Sequence, residues 1–252
     1  MTRDYVYDQG YAEERRRIAG MEALWDPGSK ALFVELGISK GWKCLEVGAG
    51  GGSLVEWMAA QGASVLAVDI DTRFVEPLAS DSIEVRRIDV RTDELPQAEF
   101  DLVHSRLVLE HLTDRRQILD RLVATLRPGG WIVIEDYDWN CFGFQDPSFD
   151  HIANGIMTFM EQAGFQRDYG RHVVGDLEAA GLTEVRGEGR ARIIDSSFAG
   201  FDFFRLSFES LKSALVDAGI LTSEEADATS ARFGEDMRVY TPMMMAGIGR
   251  RG

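Results

Sequence analysis

Apolar positions in the first forty residues recur at helical spacing. Ile18, Met21 and Leu24 follow the charged run Glu13-Glu14-Arg15-Arg16-Arg17, which predicts a helix with one wet face, stopped at Asp26-Pro27-Gly28. Lys30–Leu36 predicts a second short amphipathic helix, closed by Gly37. From Gly41 the pattern changes to short apolar runs separated by helical stretches. Cys44–Val47, Ser64–Asp69, Ile83–Val90, Phe100–His104 and Trp131–Glu135 read as five strands. Between them Ser53–Ala60, Thr72–Ala79 and Asp114–Leu126 read as helices, and Arg127-Pro128-Gly129-Gly130 reads as a turn. Strands alternating with helices of roughly 10–15 residues predict an α/β fold, a doubly wound, mostly parallel sheet with helices on both faces.

After Asp136 the regular beat is lost. Tyr137 to Gly181 is aromatic-rich, with helical patterns near Phe149–Ala163 and Asp176–Ala180. Thr183–Ile194 predicts a sixth strand, Ser196–Arg238 a helical region, and the run from Met243 a seventh strand ending at Arg250-Arg251. In the helical region Phe201, Phe204, Phe208 and Leu211 share one face. A single domain over residues 1–252 is expected. Residues 1–40 form an N-terminal helical lid, 41–137 the ligand-binding core, and 138–181 with 196–240 a cap over the carboxyl edge of the sheet.

Composition narrows the function classes. The chain has 252 residues, 45% of them hydrophobic and 27% charged, which is ordinary for a globular domain and excludes a disordered or repetitive scaffold. Its 42 acidic residues outnumber 27 Lys and Arg, giving a formal net charge of −15. Such a field repels phosphate backbones and anionic membranes, so neither nucleic acid nor a membrane is an expected partner. Two cysteines, Cys44 and Cys141, are too few for a disulfide framework or a four-ligand zinc site, and no metal constellation is visible. The sequence shows no apolar run of 18 residues and no signal-peptide core, so a cytoplasmic protein, monomer or homodimer, is expected.

The strongest chemical signal is Glu46-Val47-Gly48-Ala49-Gly50-Gly51-Gly52, between a strand and a helix. Glycines there let a nucleotide-like ligand lie against bare backbone, and the helix offers free N–H groups. A dinucleotide site would need glycine at position 53, where Ser53 stands. Asp69, 21 residues after Gly48, closes the second strand, where a carboxylate can accept both hydroxyls of a ribose; its plainer reading is a helix N-cap. Asp89 closes the third strand and can meet the exocyclic amine of an adenine, or simply cap a turn.

Taken together, Cys44–Leu54, Asp69, Asp89, Phe100–Leu112 and Leu126–Glu135 resemble class I S-adenosylmethionine-dependent methyltransferases, in the group similar to quinone-biosynthesis and small-molecule methyltransferases. The resemblance covers roughly residues 40–137. It implies six parallel strands and one antiparallel strand, the last in the chain. It also implies S-adenosyl-L-methionine as cofactor and S-adenosyl-L-homocysteine as product. On that reading Glu46, Gly48, Ala49 and Gly50 approach the methionine part, while Asp69, with Ile70 beside it, holds the ribose. Asp89 and Val90 flank the adenine, and Ser105 and Arg106 lie near the sulfonium and amino group.

The acceptor end is less specific. His111, in Leu109-Glu110-His111-Leu112, is either a general base at the pocket edge or a structural histidine. His104 reads as a packed core residue. Asp136, Tyr137, Trp139, Phe142, His172, Phe204 and Phe208 are the acceptor-contact candidates, with Tyr5, Tyr7, Tyr11 and Trp25 on the lid. Their aromatic bias favours a flat, largely apolar small molecule over a sugar or amino acid. The expected activity is methylation of such a molecule in secondary metabolism, at oxygen first, then carbon or nitrogen. The alternatives are a tRNA or protein methyltransferase, or a fold member that binds the cofactor without transferring methyl.

Overall fold

The computed structural model describes residues 11–233 and 237–252, with the side chain of Tyr11 outside the description. Helix α1 (Tyr11–Leu36) leads to strand β1 (Lys43–Val47), α2 (Ser53–Ala60), β2 (Ser64–Asp69), β3 (Ile83–Arg87) and β4 (Phe100–Arg106). Then come α3 (Arg115–Thr125), β5 (Leu126–Asp138), β6 (Gly143–Phe144), α4 (Asp150–Gln162), α5 (Val173–Ala179) and β7 (Thr183–Arg190). The chain continues through β8 (Ile193–Ile194), α6 (Phe201–Asp217), α7 (Ser223–Phe233), β9 (Val239–Tyr240) and β10 (Met243–Arg250). Among the described residues no helix is long and apolar enough to cross a membrane.

These elements divide into two compact units. One comprises Asp26–Trp139, Phe165–Arg190 and Met243–Gly252. It holds a seven-stranded sheet of order β3-β2-β1-β4-β5-β10-β7, in which β10 alone runs antiparallel to its neighbours. Side chains alternate between the faces of a strand, so each face collects its own core. Cys44, Ala67, Leu102 and Val133 meet Leu32 and Phe33 of α1 and Leu54, Val55 and Met58 of α2. Leu45, Val68, Val103 and Ile134 meet Ile118, Leu119 and Leu122 of α3 and Val173 and Leu177 of α5. Each fully buried Val, Leu, Ile, Phe or Met among them contributes about 1.5–3 kcal/mol. The expected doubly wound sheet is therefore present, with its last strand antiparallel.

The other unit comprises the described residues up to Trp25, Asn140–Gly164 and Ala191–Pro242. The stripe on α6 faces inward as its spacing predicts, with Phe201, Phe204, Phe208 and Leu211 buried. Phe142 stacks on Phe204 at 5.5 Å between ring centroids, and Phe208 lies 5.6 Å from Phe233. A three-stranded sheet, β6-β9-β8, completes this unit.

Several elements differ from expectation. Pro27 does not stop α1, which runs through it as one helix. An interior proline forfeits a hydrogen bond and costs about 3 kcal/mol, but burial of Leu24, Trp25, Leu32 and Phe33 offsets this. The N-terminal lid expected over residues 1–40 is divided between the units, because α1 enters the sheet unit from Asp26 onward. Of the helix expected over Thr72–Ala79 only a 3-10 turn at Glu76–Leu78 forms; Pro77 removes a backbone donor there and no residue of the turn is buried to offset the loss. Ser196–Arg238 is two helices, and Thr183–Ile194 is two strands whose pieces join different sheets. The Pro128-Gly129-Gly130 turn is absorbed into β5 as an irregular stretch between the Phe100–Leu126 and Leu102–Trp131 pairs.

Candidate functional site

The site is built at the carboxyl ends of β1, β2, β4 and β5. The chain leaves β1 through Gly48 and Gly50, both in the left-handed region at φ 70° and 53°, which a residue with a β-carbon resists. The N–H groups of Gly48 and Ala49 donate to the Val68 carbonyl at 2.9 and 3.2 Å, folding the loop over the end of β2. A β-carbon on Gly48 would lie 2.4 Å from Val108 Cγ2, so the loop and the turn after β4 touch closely. Asp69 is half-buried. Its carboxylate accepts the Gly50 N–H at Oδ2 and the Asp71 N–H at Oδ1, each at 2.9 Å, and burial pushes its pKa up. Beside it Ile70 presents an apolar side chain, 45% exposed.

Asp89 is occupied differently. Arg91 spans its carboxylate through Nε and Nη2 at 2.7–3.1 Å, while the Arg91 N–H donates to Oδ1 and the Thr92 N–H to the Asp89 carbonyl. The Arg91 hydrogen bond holds Asp89 below the usual carboxylate range. This is the turn-capping geometry, with an ion pair added. Val90 beside it is buried.

On the α1 face the strand ends carry a buried polar seam. Both Glu46 oxygens face His104 Nδ1 at 2.8–2.9 Å, and His104 Nε2 lies 3.0 Å from Glu135. Those contacts require two protons among the three groups. Glu135 also accepts from Ser29 and Arg190. Arg106 donates to Ser29 Oγ at 3.0 Å and to Asp26 at 2.8 Å, and Lys30 donates to Asp26 at 2.9 Å. Burial pushes the Asp26 carboxyl up, but Arg106, Lys30 and Ser53 outweigh it and hold the pKa below its ordinary value. Sequence reasoning took Glu46 and Arg106 as ligand contacts and His104 as core, and missed Asp26, Ser29, Glu135 and Arg190. The sequence shows only the polar run His104-Ser105-Arg106 closing β4, which does not name its partners. Arg106 Nε on this face and Ser105 Oγ on the other face of β4 are buried without a protein hydrogen bond.

The turn after β4 starts at Leu107, at φ 56°, whose N–H donates to the Glu135 carbonyl. His111 is partly exposed, with its ring 5.1 Å from Phe165 and Nε2 3.6 Å from Glu110 Oε1. Asp136 and Tyr137, expected as acceptor contacts, are wholly buried. Asp136 Oδ1 accepts the Glu110 N–H at 3.3 Å, and Glu110 Oε2 accepts the Tyr137 N–H at 3.0 Å. Burial pushes Asp136 up to about 8. Burial and then the Asp136 charge push Glu110 well above its ordinary value. Trp139, half-buried, meets Tyr137 edge-on at 4.9 Å. His172 is exposed and lines an open polar cleft of about 420 Å³ with Thr113, Arg115, Gln166 and Asp176; no residue of the glycine loop lines it.

The remaining acceptor candidates belong to the other unit. Trp25, Phe204 and Phe208 are buried there, and Phe142 is partly so. Tyr11 opens α1 with its side chain outside the described residues, where Tyr5 and Tyr7 also fall.

Residues 45–134 match the family model described as a methyltransferase domain. The chain is 34% identical to Methyltransferase str2 of Strobilurus tenacellus over 166 residues, 63% of this chain and 59% of that one. It is 28% identical to the ubiquinone biosynthesis O-methyltransferase of Paracidovorax citrulli over 113 residues, 42% of this chain and 48% of that one. The chain thus spans less than two thirds of the length of these relatives. Among solved structures it resembles phosphoethanolamine N-methyltransferase 2 of Haemonchus contortus, in complex with phosphomonomethylethanolamine and S-adenosylhomocysteine. That match has a TM-score of 0.58 at 15% identity, covering 99% of this chain and 60% of that one.

Proposed function

We propose that the chain is a class I S-adenosylmethionine-dependent methyltransferase that methylates a small, largely apolar or aromatic molecule, at oxygen, in cytoplasmic secondary metabolism. The observation that carries the cofactor is the constellation at the strand ends. The left-handed glycines leave backbone bare, Asp69 offers a carboxylate beside exposed Ile70, and Ser105 Oγ and Arg106 Nε are buried polar atoms in want of a partner. An adenosyl amino acid fits this set, since it brings a ribose diol, a flat ring and a polar amino-acid end. When bound, S-adenosylmethionine supplies an electrophilic methyl group on a sulfonium whose leaving group is a neutral thioether.

The chain's own residues do the rest. Asp69 holds the ribose, and the Gly48–Gly50 loop lets the cofactor approach the backbone. Ser105 and Arg106 orient the amino-acid end, so the reacting centre is set by position and not by chemistry of the protein. A hydroxyl acceptor must lose a proton, and we assign that proton to the His111 imidazole, the partly exposed base on the turn after β4. Oxygen as acceptor atom is favoured by the quinone-pathway relative, whose name states O-methylation.

Screening planar hydroxylated compounds with methyl-labelled cofactor tests the reading. Transfer to a phenol or alcohol, lowered by about 10²–10⁴ in His111→Ala with cofactor affinity kept, is the expected result. Turnover within about threefold of wild type would make His111 a packing residue. Binding of a nicotinamide dinucleotide instead would overturn the cofactor assignment.

A further inference from the structure

Glu46, His104 and Glu135 stand on the neighbouring strands β1, β4 and β5, and their side chains, all buried, form one chain of contacts across the sheet. The hydrogen bonds around Glu135 fix which atoms give protons. Arg106 Nη1 has only protons to give, so Ser29 Oγ accepts from it and donates its own proton to Glu135 Oε2. Arg190 donates to the other oxygen, Oε1. With a guanidinium and a hydroxyl both donating to it, Glu135 stands as a carboxylate, and His104 Nε2, 3.0 Å from Oε2, is a donor. Across the ring, Nδ1 lies 2.9 and 2.8 Å from the two Glu46 oxygens, and one proton in that gap joins them. Phe33 of α1 closes over the imidazole edge-on, at 4.9 Å between ring centroids.

The ends of this chain are the roots of two segments. Glu46 stands two residues before Gly48, where the glycine loop begins. The Glu135 carbonyl accepts the Leu107 N–H at 2.8 Å, where the turn after β4 begins. The two segments meet again beyond their roots, since a β-carbon on Gly48 would run into Val108. A rigid link between the roots therefore sets how closely loop and turn approach. The same geometry bears on what Glu46 offers a ligand. It is 4% exposed, and both its oxygens are turned to one ring nitrogen. An amino group lying on the loop would have to displace His104 to reach them, leaving a buried imidazole without its partner.

Resting on the methyltransferase reading for the ligand that the loop serves, we infer that Glu46 and His104 are positioning residues. They form a strut from the root of the glycine loop to the end of β5 that sets the gap between Gly48 and Val108, and Glu46 gives its carboxylate to His104 and not to the ligand's amino group. The strut acts on the site through backbone: through Val47 to Gly48 at one end, and through the Glu135 carbonyl to Leu107 at the other. Taking away one member leaves a buried polar group unanswered, so the three side chains work only together.

Two ligands separate positioning from contact. S-adenosylhomocysteine carries an amino-acid end, and methylthioadenosine keeps the adenosine and the thioether without it. Glu46→Met preserves side-chain length and removes both oxygens. In calorimetry it should weaken both ligands alike, by about tenfold, since a displaced loop serves neither. Glu46→Gln should restore most of that loss, because its amide N–H can donate to Nδ1 while Nε2 still donates to Glu135. Weakening of S-adenosylhomocysteine alone, in either variant, would make Glu46 a contact of the amino group and overturn the strut. Affinities unchanged in Glu46→Met would confine the seam to folding and overturn it too. Should the wild type bind neither ligand, the cofactor reading fails and amide exchange decides the strut. The Gly48 and Leu107 N–H groups should then both exchange faster in Glu46→Met than in Glu46→Gln, and equal rates, or a change at Gly48 alone, sink it. Nitrogen NMR on isotopically labelled histidine gives a check on the wild type itself: His104 Nε2 should carry a proton, and a bare Nε2 would leave Glu135 unlinked and end the proposal. Glu46→Ala takes the place of Glu46→Met if that variant does not fold, with the same outcomes.

Discussion

The backbone N–H of Gly50 donates to Asp69 Oδ2 at 2.9 Å, so the loop after β1 and the carboxylate closing β2 are held as one piece. Asp69 therefore anchors the loop and, on the proposed reading, also receives a ribose. Asp69→Ala should weaken S-adenosylhomocysteine binding by about 10- to 150-fold, or about 1.5–3 kcal/mol, in calorimetry. Asp69→Asn, which keeps one acceptor for the Gly50 N–H, should fall between. Equal affinity in wild type and the alanine variant would remove Asp69 from the site.

The glycines separate conformational strain from steric clash. Gly50→Val places a branched side chain at φ 53°, a position costing about 1–3 kcal/mol, and should abolish cofactor binding with far-UV circular dichroism near wild type. At Gly48 both effects act, because φ is 70° and the new β-carbon would meet Val108. Adding Val108→Ala to Gly48→Ala should restore the part of affinity lost to the clash and none of the part lost to φ. Full restoration would show that the left-handed backbone is not needed.

His104 separates two buried acids, Glu46 and Glu135. His104→Leu leaves both without that partner and should destabilise the protein by about 3–5 kcal/mol in urea unfolding. Adding Glu46→Gln should recover part of this loss. A change below about 0.5 kcal/mol, ordinary for a surface site, would mean the seam is hydrated and not closed.

Asp26 gives an acid-side signature. Its pKa is held below the ordinary value, so the stability it confers is complete above the unfolded-state value of about 4 and lost as pH falls through the lower folded value. Wild type should therefore lose stability on acidification below about pH 4 more steeply than Asp26→Asn. At neutral pH the variant should be weaker by about 1–3 kcal/mol, having lost the charge facing Arg106 and Lys30. Identical acid limbs would show that the Arg106 pair is not formed in solution.

What could be read from the residues alone followed the strength of local signals. The boundaries of Ser53–Ala60 and Ser64–Asp69 are met residue for residue, because a glycine loop and an apolar run mark them on both sides. Gly48 and Gly50 were legible as turn positions, and both stand at positive φ with the Gly50 N–H on Asp69. Pro27 and Pro77 gave the same local signal with different outcomes, since buried residues flank Pro27 on both sides, whereas burial around Pro77 ends at Phe74 and Val75 and the turn Glu76–Leu78 has none. The seam was illegible because Glu46, His104, Glu135 and Arg190 come together only through sheet register, which no single segment encodes. Asp89 shows the converse. A carboxylate at the right strand end is drawn to an arginine two residues on, an ion pair the sequence contained but the strand-end pattern did not suggest.

Strand β10 lies between β5 and β7, both of which precede it in the chain. During synthesis those two strands emerge from the ribosome with no partner on their facing sides, and each exposes a row of unpaired N–H and C=O groups until residues 243–250 arrive. Until then β5 carries an open sheet edge, and β7, whose pairing is with β10, has no strand partner, a state in which exposed strands are prone to misassociation. The Ala246-Gly247-Ile248-Gly249 stretch that fills the gap is narrow, and its glycines pass beneath Val173, Leu177 and Leu182 with almost no room for a side chain. Closure of the sheet therefore waits for residues 243–250, and beneath Val173, Leu177 and Leu182 a glycine leaves room where any β-carbon would displace a neighbour.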